Sequence, residues 1–156
     1  MVSFSVRGFF KYWFPVVAWM ILVFLASGDL MSSEHTSRFI GPFLRWLFPD
    51  VSGATIASVQ FVVRKAAHLT VYAVLAILLY RAFRQDSNRL WRAALPSLFI
   101  AGLYATLDEF HQSFVSTRTG TPRDVFIDCI GAAIGLALFH VFSRRGNQEA
   151  PIEIRK

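Results

Sequence analysis

Cysteine is nearly absent from this 156-residue sequence: Cys129 stands alone, so no disulfide can form within the chain. Charge is scarce as well. Charged residues make up 17% of the chain and hydrophobic ones 54%, against about 25% and 45–50% in ordinary soluble domains. Internal repeats and low-complexity segments are missing too. These deficits argue against a disulfide scaffold, a repeat array and a plain soluble enzyme. Sixteen Phe need burial or lipid, which removes disorder from consideration. What remains is a small, basic, single-domain membrane protein.

Four apolar stretches read as membrane spans: 9–26, 66–83, 93–107 and 125–142. Eighteen helical residues cover about 27 Å, close to a hydrocarbon core of roughly 30 Å. The first stretch follows Arg7 and includes Lys11 but lacks a clean small-residue cleavage site, so it reads as an uncleaved span. Pro96 and Gly102 in the third suit a helix supported by neighbours. Gly131 and Gly135 in the fourth form a G-x-x-x-G step, whose expected role is close helix packing. The fold expectation is an all-α integral membrane bundle of four transmembrane helices over 1–145, followed by a polar cytoplasmic tail over 146–156.

Charge orients the bundle. With both termini cytoplasmic, the inner segments carry ten cations and three acids, a balance of +7, while the outer segments carry six cations and seven acids, a balance of −1. The positive-inside rule favours this arrangement. Topology thus accounts for the net +6, and no nucleic-acid partner is implied. In the long outer loop, Phe39, Ile40, Phe43, Leu44, Trp46, Leu47 and Phe48 read as an interfacial helix on the outer leaflet. Ser52 or Thr55 is positioned to cap a helix running into the second span.

Ionisable groups at membrane depth are costly and mark functional sites. Lys65, His68 and Tyr72, spaced i, i+3 and i+7, share one face of the second span. Asp108, Glu109 and Gln112 close the third. Arg118, Arg123 and Asp124 occupy the next loop and the start of the fourth span, and Asp128 lies one turn deeper. All fall in the outer half, where a four-helix bundle would gather them into one polar pocket. Asp124 also suits a helix start, as an N-cap or through the macrodipole. Arg64 reads as a side chain snorkelling to the interface. His35, His111 and His140 stand outside the cluster. A purely structural ion-pair network of the same residues remains an open alternative.

The segment Arg64-Lys65-Ala-Ala-His68-Leu-Thr-Val-Tyr72 resembles the K-x-x-H-x-x-x-Y signature of the VanZ-like family. The run Asp108-Glu109-Phe-His-Gln112-Ser-Phe114, then Arg118, then Asp124-Val-Phe-Ile-Asp128-Cys-Ile-Gly131, resembles that family's second signature. One departure is the loop before Arg118, where Ser116-Thr117 replaces the usual Pro-Gly. The resemblance implies a multi-pass protein of the bacterial inner (plasma) membrane, associated in its namesake with resistance to teicoplanin, a lipoglycopeptide.

Three mechanisms compete. In the first, the pocket binds an anionic lipid-linked cell-wall precursor or lipoglycopeptide. Lys65 and Arg118 engage its phosphate or carboxylate, Tyr72 and Gln112 hydrogen-bond it, and Asp108, Glu109, Asp124 and Asp128 complete the pocket, with membrane lipids as neighbours. In the second, the protein is a lipid-phosphate hydrolase or transferase. His68 is then nucleophile or general acid/base, and Asp108 or Glu109 orients it or serves as base. A proton-coupled transporter ranks last, since no inverted repeat is visible. No cofactor is evident. A divalent ion held by His, Asp and Glu stays open as an alternative, though no H-E-x-x-H or D-x-D spacing supports it.

Overall fold

The computed structural model describes residues 6–27, 33–84, 89–115 and 120–148. These form five helices and no strand: α1 (Val6–Ser27), α2 (Ser33–Leu47), α3 (Gly53–Phe83), α4 (Leu90–Gln112) and α5 (Pro122–Gln148). Among the described residues, four helices are long and apolar enough to cross a membrane, within α1, α3, α4 and α5. The all-α expectation holds. Each helix outruns its expected stretch: α3 begins at Gly53, and α5 reaches Gln148, past the expected boundary at 145.

α3 is the spine. Its 31 residues give about 46 Å at 1.5 Å per residue, well over one bilayer core. Its N-cap is Ser52, whose Oγ accepts a hydrogen bond from the Thr55 amide at 3.1 Å. Of the two expected caps, Ser52 is therefore the one used. α5 is capped by Thr121, whose Oγ1 accepts from the Asp124 amide at 3.3 Å. Pro122 follows at the first helical position, where its missing N–H costs nothing. The cap is therefore Thr121, which leaves the Asp124 carboxylate free for another task.

Small residues let the helices close on one another. A Cβ on Gly131 would stand 2.4 Å from the Leu69 carbonyl oxygen, and one on Gly135 would stand 2.7 Å from Ala73 Cα. The G-x-x-x-G step thus brings the α5 backbone onto α3, running parallel to it. Ala76, Ala82, Ala101, Ala105 and Ala132 are buried around Tyr72, Leu75 and Leu79. Large apolar side chains such as Phe14, Leu25, Phe99, Leu107 and Phe126 lie outside, exposed. In water this would be costly; in hydrocarbon it is the required exterior. α1 is tied on by two hydrogen bonds that satisfy helix carbonyls. Trp19 Nε1 donates to Val71 O at 3.1 Å, and the Tyr104 hydroxyl donates to Met20 O at 2.5 Å.

α2 is too short to span, at 15 residues. Phe39, Phe43, Trp46 and Leu47 are exposed along it, and Phe48 follows just beyond.

Candidate functional site

The parallel contact of α3 and α5 fixes a register, and that register pairs the costly residues. Lys65 Nζ donates to Asp124 Oδ1, forming an ion pair with both side chains largely buried. One turn deeper, His68 Nδ1 lies 3.1 Å from Asp128 Oδ1, and the Asp128 side chain is wholly buried. Leu69 and Ala73 then receive Gly131 and Gly135. Lys65 and His68 of the face predicted from the spacing therefore meet a matching face of α5.

α4 supplies the third wall. The Tyr72 hydroxyl donates to Asp108 Oδ2 at 3.2 Å, and Gln112 Nε2 donates to the same oxygen at 3.0 Å. Gln112 also reaches Ser27 Oγ at the end of α1, at 3.5 Å. Asp108, Glu109 and Gln112 are all buried in the last turn of α4. Glu109 is held from the following loop: Oε2 accepts the Thr121 amide at 2.9 Å.

Eight of the nine sequence-expected site residues therefore meet in one cluster: Lys65, His68, Tyr72, Asp108, Glu109, Gln112, Asp124 and Asp128. Arg118 lies outside the described residues. The hydrogen-bond partner of His68 is Asp128, rather than Asp108 or Glu109. Among the described members, four carboxyl groups face Lys65 and His68. Three carboxylate oxygens are buried with no hydrogen-bond partner: Asp108 Oδ1, Glu109 Oε1 and Asp128 Oδ2. Buried polar atoms of this kind are uncommon and point to an unfilled role.

Gly120 is a participant that sequence reasoning missed. A Cβ there would stand 2.2 Å from the Glu109 carbonyl oxygen. Only a bare backbone can pass so close, and that passage delivers the Thr121 amide to Glu109. The glycine was visible in the loop, but its contact partner was not. His111, set aside from the cluster by helix phase, stacks on Phe24 with ring centroids 4.5 Å apart.

Beside the cluster is a cavity of about 200 Å³ between α1, α3 and α4. Its wall is almost wholly apolar, with Leu22, Val23, Ala26, Ala67 and Val71 among the lining residues, and Arg64, His68, Tyr72 and Asp108 also border it. Arg64, expected only to snorkel, thus lines this cavity.

No curated protein and no solved structure matches the chain significantly. The VanZ/LLP1 family model, however, matches residues 11–143. That match covers most of the first membrane-crossing stretch, all of the other three and the whole of the described cluster, and the chain belongs to the VanZ/LLP1 family.

Proposed function

We propose that this protein is a bacterial envelope membrane protein that binds an amphiphile with an anionic head group, a lipid-linked phosphate or a lipoglycopeptide. The cavity carries this reading: apolar walls suited to an acyl chain share one space with Arg64, His68 and Tyr72. A guanidinium offers a forked pair of donors to a phosphate or carboxylate. Burial of the aliphatic part against Val23 and Val71 supplies the affinity, and the polar groups supply orientation.

In this reading both termini face the cytoplasm, the cluster lies in the outer half of the membrane, and α2 rests on the outer leaflet. The cation asymmetry supports the orientation. The exposed Phe39, Phe43 and Trp46 support an interfacial α2.

Native mass spectrometry of the protein, extracted in mild detergent, tests the binding. About one phosphorylated lipid or added lipoglycopeptide per chain is expected, lost in Arg64→Ala. Retention undiminished in that variant, or no bound amphiphile at all, counts against the reading. Lipidomics and teicoplanin susceptibility of a deletion strain separate the two ligand classes.

A second reading, a membrane-embedded lipid-phosphate hydrolase or transferase, draws on the His68–Asp128 pair. A buried carboxylate hydrogen-bonded to an imidazole fixes the ring's orientation, as acid–base work requires. Phosphate released from polyprenyl or glycerophospholipid phosphates would support it. A His68→Ala variant as active as the parent would remove the histidine from the chemistry.

A further inference from the structure

We propose that His68, Glu109 and Asp128 form a binding site for a divalent transition ion, Zn²⁺ or Mn²⁺. One donor atom from each residue lies within 4.8 Å of the other two. Atoms bound to a common ion at about 2.0–2.2 Å stand roughly 3–4 Å apart. A small inward rotation of side chains therefore closes the triangle.

Three observations point to a cation rather than a self-contained polar network. Glu109 gives Oε2 to the Thr121 amide, and Asp128 gives Oδ1 to His68; each leaves its second oxygen buried and unpartnered. Both residues are more than nine-tenths buried, at 4% and 0% exposure, so water offers little compensation. Lys65, the described cation of the cluster, is already engaged by Asp124. A divalent ion meets all three conditions, since it neutralises the carboxylates and occupies their idle lone pairs.

The donor set narrows the ion. One imidazole nitrogen with two carboxylate oxygens suits Zn²⁺ or Mn²⁺, whereas an all-oxygen set would suit Mg²⁺ or Ca²⁺. Three protein donors leave coordination positions open. His68 also lines the amphiphile cavity, so an open position at the ion is within reach of an anionic head group. This extension rests on the binding reading above; the ion site itself does not.

The test uses the full chain in detergent, stripped with chelator and titrated separately with Zn²⁺ and Mn²⁺, without added lipid. One ion per chain is expected by elemental analysis and calorimetry. Asp128→Asn and Glu109→Gln should each weaken binding tenfold or more, while Asp50→Asn, outside the cluster, should leave it unchanged. Pulsed electron paramagnetic resonance of Mn²⁺ on the unmodified protein should show coupling to one imidazole nitrogen, and this measurement requires no variant to fold. Absence of a stoichiometric ion, absence of nitrogen coupling, or undiminished affinity in both carboxylate variants overturns the site. Lipid retained by protein that binds no ion overturns the ion site alone. An ion bound by protein that retains no amphiphile supports the ion site and overturns the binding reading.

Discussion

His68 and Asp128 face each other across the α3–α5 contact, 3.1 Å apart, one turn from the glycine that brings the two helices together. Packing and polar pairing are thus set by one register. Alter the first and the second must move.

Gly131→Ala tests that coupling. The added Cβ meets the Leu69 backbone, which cannot swing aside as a side chain could. Stability in mixed-micelle denaturation should fall by about 1–3 kcal/mol, the range for overpacking. Gly53→Ala, with nothing within 4 Å of the new carbon, is the control and should stay within about 0.5 kcal/mol of the parent.

The Lys65–Asp124 ion pair is measured by a double-mutant cycle. Lys65→Met leaves a largely buried carboxylate uncompensated, and Asp124→Asn leaves the ammonium so. A favourable coupling energy of about 1–3 kcal/mol is expected from the four unfolding curves. Simple additivity would show that the pair contributes nothing.

Filling the cavity should block its occupant while sparing the fold. Ala67 lines it and is exposed, so Ala67→Trp projects a ring into open space. Amphiphile retention should drop at least tenfold with the unfolding midpoint nearly unchanged.

Gly120→Ala should free the loop from α4, because the new carbon collides with the Glu109 carbonyl. The Thr121 amide then loses its carboxylate partner. Hydrogen exchange at that amide should accelerate by tenfold or more, read by NMR or mass spectrometry.

Cys129 needs no mutation to report on the surroundings of α5. It is exposed on a membrane-crossing helix. A charged, water-soluble thiol reagent should leave it unmodified in vesicles and modify it after denaturing solubilisation. Rapid labelling in intact vesicles would place that face in water.

Much of this organisation is legible in the linear sequence. Apolar length gives the spans, because hydrocarbon tolerates nothing else across 30 Å or so. The phase of Lys65, His68 and Tyr72 follows from 3.6 residues per turn. The pairings do not follow, since His68 and Asp128 are 60 residues apart. Their meeting depends on how deeply α5 seats on α3, a three-dimensional quantity that the glycines permit but do not number. The Glu109–Thr121 bond was hidden for a related reason: it depends on a backbone amide, which every residue but proline carries. That Arg64 lines the cavity does not follow from the sequence either, because only the position of α1 gives that part of α3 a facing wall.

The cavity lies on the seam between α1 and α3, and its rim residues Leu22 and Val63 are themselves exposed on the bundle's apolar flank. A ligand that reaches it from that flank has first dissolved in the bilayer. Occupancy then follows the ligand's mole fraction among surrounding lipids, not its concentration in water. Titrations that dilute the aqueous phase while holding lipid composition fixed should leave occupancy unchanged, and the membrane becomes the reservoir against which affinity is defined.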